Sequence, residues 1–125
     1  MQLSFSERRK ILKKANYLDL HPLKLHSEEI NDNIVTVLIP KFKNKFIVKH
    51  IVPKLKSPDI KLKLDEIGSA TWLLLDGKKD VRTISKHLLE KFGEKIEPVN
   101  QRLTKFLTNL YEQRLITFKE INKEV

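Results

Sequence analysis

Residues 64–77 read LDEIGSATWLLLDG, and this stretch decides the fold. Its apolar side chains fall on almost every side of a helix, which is typical of a buried central helix. Asp65-Glu66 suits a helix start, where carboxylates meet the positive end of the helix dipole. Gly68 predicts close packing against another backbone, and Asp76-Gly77 predicts a turn. The stretch therefore predicts a buried helix over Glu66–Leu75.

Two more helices are predicted after this turn. Asp80 is a favourable N-cap for the first of them, and Gly93 is placed to end it. Pro98 opens the second as a first-turn proline. Apolar residues recur along both segments at the three- and four-residue spacings of a helix with one buried face. They are Val81, Ile84, Leu88 and Phe92 in the first helix, and Val99, Leu103, Phe106, Leu107 and Leu110 in the second.

Strands are predicted mainly in the first half of the chain. Residues 34–39 read IVTVLI, a β-branched run typical of a buried strand, and Pro40 ends it. Asn31-Asp32-Asn33 predicts a turn before this strand. Ile60–Leu64 alternates apolar residues with lysines, which predicts one buried and one solvated face. Leu115–Phe118 predicts a short terminal strand. Weaker strand signals lie at Leu23, Leu25 and Ile30.

The ends of the chain and its middle complete the predicted domain. Ser4-Phe5-Ser6-Glu7 fits a capping box and predicts a helix from Phe5 to about Ala15. Residues 42–55 fit either a hairpin arm or a short helix over the core. Together these elements predict one α+β domain. Its parts are an N-terminal helical extension (1–20), a strand-rich part (21–59), a core (60–118) and a tail (119–125).

The chain is strongly basic, with 25 Lys/Arg, 16 Asp/Glu and a formal net charge of +9. Residues 1–58 hold 12 Lys/Arg and 5 Asp/Glu, whereas residues 59–118 hold 11 and 9. An acidic peptide, a phosphate backbone or an acidic partner enzyme would suit such a surface, although charged surfaces are more often simply solvated. No apolar run approaches the roughly 20 residues of a membrane span. No signal-peptide core follows the N-terminal charges, so a cytoplasmic protein is expected.

The sequence contains no pattern of catalytic residues. With no cysteine, thiolate metal sites, disulfides and cysteine catalysis are excluded. The four histidines, His21, His26, His50 and His87, do not form a metal-ligand motif such as H-E-x-x-H. The three glycines are isolated, and Gly68-Ser69-Ala70 is not a nucleophile elbow. The sequence predicts a binding module without cofactor or metal rather than an enzyme.

Two groups of residues are candidates for binding. The strand Ile60–Leu64 is either an inner strand whose lysines protect an edge, or an open edge that accepts a peptide as an added strand. The helix Val99–Leu110 packs its apolar face into the core. Its flank at Arg102 and Phe106 is either ordinary surface or the wall of a groove. The residues alone leave these alternatives open.

Residues 60–118 resemble the family of pyrroloquinoline quinone biosynthesis protein D (PqqD), as a divergent member. The family pattern, L-N/D-E-x-G-x-x-x-W-x-L-L-D-G-x-x-T-V-x-E-I, departs mildly here at Asp65 and at Arg82-Thr83-Ile84. The first 20 residues and residues 41–56 look longer than in small family members, which implies a peptide pathway other than quinone cofactor synthesis. The residues that carry the resemblance are Leu64, Asp65, Glu66, Gly68, Trp72, Leu74, Leu75, Asp76, Gly77, Val81, Ile84, Phe106, Leu107 and Leu110.

The resemblance implies a fold and a function. The family fold is winged helix-turn-helix-like, with a small antiparallel sheet of about three strands on a three-helix C-terminal bundle, here with an extra N-terminal helix. Family members bind leader peptides of ribosomally made, later modified peptides, as an added strand that lies against the third helix. The implied partners are a precursor peptide and a modifying enzyme such as a radical SAM protein, with no membrane and no cofactor. By analogy the peptide-binding residues are Ile60, Lys61, Leu62 and Lys63 on the receiving strand, and Val99, Arg102, Leu103 and Phe106 on the helix.

A DNA-binding winged helix is the alternative interpretation. Asp80–Phe92, Pro98–Tyr111 and Leu115–Phe118 fit a helix, a recognition helix and a wing, and the net charge favours nucleic acid. The recognition helix would offer only Arg102 and Lys105 as cations, however, and the basic excess lies elsewhere. Nucleic acid is therefore the less favoured partner.

Overall fold

The computed structural model describes residues 16–41 and 59–121. The predicted N-terminal helix from Phe5 to Ala15 and the ambiguous residues 42–55 lie outside these ranges. The described part is α+β, with three α-helices and two small antiparallel sheets. In chain order it has a 3-10 helix (Tyr17–Asp19), β1 (Pro22–Lys24), β2 (Glu28–Asn31), β3 (Ile34–Pro40), β4 (Asp59–Lys63), α1 (Glu66–Trp72), α2 (Val81–Phe92), a second 3-10 helix (Gly93–Ile96), α3 (Val99–Glu112) and β5 (Ile116–Phe118).

The larger sheet has three antiparallel strands in the order β2-β3-β4. Its β2–β3 hairpin turns through Asp32 and Asn33, whose φ angles are 51° and 65°. Positive φ at both positions matches the twist of the paired strands, and Asp and Asn tolerate this conformation well. The predicted turn and the predicted strand over residues 34–39 are both confirmed.

The smaller sheet pairs β1 with β5, and places Leu23 opposite Thr117. The predicted terminal strand is therefore present. It is buried in the core, since Ile116 and Phe118 are each 1% exposed. The DNA-binding alternative takes this segment as a projecting wing, and the structure uses it to fill the core. Leu23 also bridges to Asp76, so β1 joins the turn after α1 to the strand after α3.

Helix α1 is shorter than predicted, since it ends at Trp72 with Leu73 as its C-cap. Leu73 is 43% exposed, so its apolar side chain does not extend the buried helix. The Asp65 carboxylate caps the other end and accepts the Gly68 N–H at 2.7 Å. A Cβ on Gly68 would lie 2.9 Å from Asp65 Oδ1 and 3.4 Å from Phe106 Cζ. The close packing predicted for this glycine is thus against side chains, not another backbone.

Helices α2 and α3 form where the sequence predicts them. The Asp80 carboxylate accepts the Thr83 N–H at 2.8 Å, and Gly93 ends α2 with a φ of 59°. Glycine adopts this conformation without the steric cost of a side chain. Helix α3 begins at Val99, with Pro98 at the N-cap rather than inside the first turn as predicted.

One hydrophobic cluster joins the two sheets and the three helices. The predicted burial of Trp72 is confirmed: its side chain is 0% exposed, and its indole N–H donates to Glu28 on β2 at 3.2 Å. Helix α1 packs on β3, where Val35 and Val37 are fully buried. The face of the larger sheet that carries these valines is called the helix face below, and the opposite face the outer face.

Candidate functional site

Within the described residues, β4 is an end strand that pairs on one side only, with β3. The Leu64 N–H donates to the Val35 carbonyl at 2.9 Å, which fixes the alternation of the ladder. In an antiparallel pair, alternate residues direct both main-chain groups to the partner strand, and the residues between direct them away. Here Leu62 and Leu64 direct their main-chain groups to β3, and Lys61 and Lys63 direct theirs away from it. The outward N–H and C=O groups of Lys61 and Lys63 are called the β4 edge below.

The two faces of β4 differ in chemistry, as the alternation in the sequence predicted. On the outer face the lysine side chains are exposed, and Lys61 Nζ lies 4.0 Å from the Glu29 carboxylate. On the helix face Leu62 packs against the core, and Ile60 is 52% exposed. The strand thus offers charge on one side and apolar surface on the other.

Phe106 is the α3 residue that the structure brings to the end of β4. Its ring atom Cζ lies 3.4 Å from the position that a Cβ on Gly68 would take, and Leu64 Cβ lies 3.5 Å from the same point. The absence of a side chain at Gly68 therefore lets the Phe106 ring approach the junction of β4 and α1. The ring is only partly buried, so part of its surface remains available.

The other predicted α3 residues occupy three different environments. Leu103 is 3% exposed and belongs to the core. Its side chain is therefore not accessible to a bound peptide. Val99 is partly buried against the core. Arg102 is exposed, and its guanidinium donates to the Lys95 carbonyl at 2.6 Å. That bond holds Arg102 at the α2–α3 connection.

Ser69 is a residue of this region that the sequence did not single out. Its hydroxyl accepts the Val35 N–H at 2.8 Å and donates to the Leu64 carbonyl at 3.4 Å. It thereby completes the last pair of the β3–β4 ladder from helix α1. A serine among apolar residues in a buried stretch was the available signal, because a buried hydroxyl requires a partner.

The opposite end strand, β2, has the opposite charge. Its alternation places the main-chain groups of Glu28 and Ile30 away from β3, since the Leu38 N–H bonds the Ser27 carbonyl at 2.9 Å. The Lys24 ammonium bonds the Glu28 carboxylate at 2.7 Å and holds the pKa of this carboxyl below its usual value. Glu29, next along β2, pairs with Thr36 and lies on the outer face, the face that carries the β4 lysines, whereas Glu28 lies on the helix face.

A groove of about 440 Å³ lies elsewhere, between the first 3-10 helix and α3. None of its lining residues is a predicted site residue; they are Tyr17, Leu18, Asn100, Gln101, Thr104 and Lys105. In the described ranges there is no group of three or more His, Asp or Glu side chains placed to hold a metal ion. No helix there is long and apolar enough to cross a membrane.

Comparison with known proteins relates the segment that contains β4 and the three α-helices to a protein family. The family model described as coenzyme PQQ synthesis protein D (PqqD) matches residues 58–116. Residues 58–116, which contain β4, all three α-helices and the first residue of β5, are a PqqD-family segment. Members of this family are generally non-catalytic accessory proteins of coenzyme PQQ synthesis. No curated protein and no solved structure gave a match.

Proposed function

We propose that this chain is a non-catalytic protein that binds the leader segment of a ribosomally made precursor peptide and presents it to a modifying enzyme. The leader adds to β4 as a further strand, and a radical SAM protein is the kind of enzyme that receives it. The family match supports the class of partner, since PqqD proteins typically act with a peptide and a radical SAM enzyme.

The observation that carries the proposal is the orientation of the β4 main chain. Lys61 and Lys63 direct their N–H and C=O groups away from β3, as an acceptor of an added strand requires. Main-chain bonds give such a complex affinity with little sequence preference, and side-chain contacts give it selectivity. The partly buried Phe106 ring at the end of β4 supplies an apolar contact.

Amide hydrogen exchange tests this geometry residue by residue. In the free protein the Leu62 and Leu64 amides are protected by β3, whereas the Lys61 and Lys63 amides are expected to exchange fast. A leader peptide encoded near this gene is expected to slow exchange at Lys61 and Lys63 and to leave the leucines unchanged. The leucine amides are thus an internal control.

Two results would contradict the proposal. A peptide that binds without protecting Lys61 and Lys63 would remove β4 from the site. Failure of every neighbouring leader to bind below roughly millimolar concentration, equivalent to about 4 kcal/mol, would remove peptide binding itself.

A further inference from the structure

We propose that β4 selects a peptide whose residues alternate between acidic and apolar, with the acidic residues directly opposite Lys61 and Lys63. This inference rests on the proposed function and deepens it, because it states the sequence pattern that the edge recognises. It follows from three features of β4: the alternation of its main chain, the charge of its outer face and the apolar surface of its helix face.

The alternation decides which side of the sheet each peptide side chain takes. Residues directly opposite each other on neighbouring strands carry their side chains on the same face, in parallel and antiparallel pairs alike. Peptide residues opposite Lys61 and Lys63 therefore place their side chains on the outer face. The residues between them, opposite Ile60 and Leu62, place theirs on the helix face. The pattern is independent of the direction in which the peptide runs.

The outer face of β4 carries Lys61 and Lys63, with Asp59 on the same face at the start of the strand. Lys61 meets Glu29 only at 4.0 Å, with both side chains about half exposed. In the described part of the chain Lys63 has no ion pair, and it stands opposite Thr36 on β3. Carboxylates at the two opposing peptide positions would meet these ammonium groups, whereas lysines there would be repelled.

The helix face of β4 is apolar and therefore suits apolar peptide side chains. Ile60 leaves 52% of its surface exposed beside the free edge, and Leu62 is partly buried next to it. The Phe106 ring lies at the end of the same face. Apolar side chains at the alternate peptide positions would cover this surface, with a gain proportional to the area removed from water.

The β2 edge is less favourable for the same peptide. Its outer face carries Glu29, opposite Thr36, so an acidic side chain beside Glu29 would meet like charge, whereas Glu28 lies on the helix face and is paired with Lys24. The charge difference between the two end strands therefore directs an acidic-apolar peptide to β4.

The test uses two synthetic peptides of equal composition and capped ends. The first alternates Glu with Val or Leu, and the second has the same residues in two blocks, all Glu and then all Val and Leu. Because a free peptide can slide along the edge, blocks are a stricter control than a shift by one residue. The alternating peptide is expected to bind about tenfold more tightly and to protect the Lys61 and Lys63 amides.

Charge exchange on the protein tests the register of the acidic positions. Lys63→Glu is expected to weaken the alternating Glu peptide about fivefold, since an exposed attraction becomes a repulsion. The matched variant Lys86→Glu makes the same change of net charge on the exposed surface of α2 and is expected to leave affinity unchanged. A peptide with Lys in place of Glu is expected to recover affinity for Lys63→Glu.

The outcomes separate this inference from the function on which it rests. If both peptides, or neighbouring leaders without the pattern, protect the Lys61 and Lys63 amides equally well, the pattern is overturned and strand addition stands. Equal losses in Lys63→Glu and Lys86→Glu would also overturn it, because net charge alone would then act. If neither the synthetic peptides nor the neighbouring leaders bind, both proposals fall.

Discussion

The Ser69 hydroxyl lies within the last pair of the β3–β4 ladder, where it accepts the Val35 N–H at 2.8 Å. The same hydroxyl donates a hydrogen bond to the Leu64 carbonyl, 3.4 Å away. A direct bond between Val35 and Leu64 is therefore replaced on one side by a relay through α1. Through this fully buried side chain, helix α1 is hydrogen-bonded to the end of the ladder that carries the proposed edge.

Removal of the relay should cost stability. In Ser69→Ala the Val35 N–H stays buried without its partner, and such a group costs about 1–3 kcal/mol. The free energy of unfolding in urea measures the loss. Ser27→Ala is the control, because Ser27 is exposed, and it is expected to change stability by less than about 0.5 kcal/mol. Equal stability of the two variants would show that the backbone satisfies itself without Ser69.

Trp72 contributes both buried volume and a hydrogen bond to the stability of the fold. Trp72→Ala empties a fully buried site and is expected to cost about 3–5 kcal/mol, a large share of the roughly 5–15 kcal/mol of a small domain. Trp72→Phe keeps an aromatic ring but loses the second ring of the indole together with the donor to Glu28. It should cost about 1–3 kcal/mol, less than Trp72→Ala, because both a smaller cavity and a lost hydrogen bond contribute. Thermal melting of both variants within a few degrees of the parent would contradict the observed packing.

Glu28 gives stability a specific dependence on pH. Its pKa in the folded protein is lowered, chiefly by the hydrogen bond from Lys24. A lowered folded-state pKa contributes stability above the unfolded value, near 4.5, and the contribution is lost as pH falls through the folded value. Glu28→Gln is therefore expected to destabilise at pH 7 and to have progressively less effect below pH 4.5. A difference that stays constant from pH 7 to pH 3 would contradict this.

Arg102 tests the α3 flank of the proposed site. Arg102→Glu removes an exposed bond to the Lys95 carbonyl, so the fold is expected to survive with a change under about 0.5 kcal/mol. If the bound peptide is acidic, affinity should fall about tenfold, or about 1.4 kcal/mol. Lys86→Glu again serves as the control for net charge. Unchanged affinity in a folded Arg102→Glu protein would restrict the site to β4 and Phe106.

Duplex DNA is expected to bind weakly, without sequence preference, and to be released near 0.15 M salt. Contacts to several phosphates weaken steeply as salt rises, and the segment proposed as a wing is buried as β5. A salt titration with labelled duplex measures this. Nanomolar, sequence-specific binding at that salt concentration would overturn the peptide interpretation.

The sequence predicted features that depend on neighbouring residues. Asp80 and Gly93 marked the ends of α2 because a cap is decided within one turn. Asp32-Asn33 marked a hairpin for the same reason. The end of α1 was misplaced, because the apolar Leu73 carries no sign that it is exposed.

Contacts between residues that are distant in the sequence could not be predicted from local sequence patterns. The pairing of Leu23 with Thr117 joins residues almost a hundred positions apart, and no local spacing encodes it. The role of Ser69 depends likewise on β3, which lies some 30 residues earlier. For the proposed site, the sequence predicted the lysine-bearing strand and Phe106, which the structure places near each other. It could not show that Leu103 lies under the surface or that Arg102 bonds the Lys95 carbonyl.

The two-sheet arrangement determines where this module can be cut for transfer to another protein. The family match spans residues 58–116, whereas β4 depends on β3, and β5 depends on β1. A fragment trimmed to the match would keep the three helices but lose β1, β2 and β3, and would break β5 after its first residue. Its β4 would be bare on both sides, which invites edge-to-edge aggregation. A transplantable unit must begin upstream of β1 and extend past Phe118.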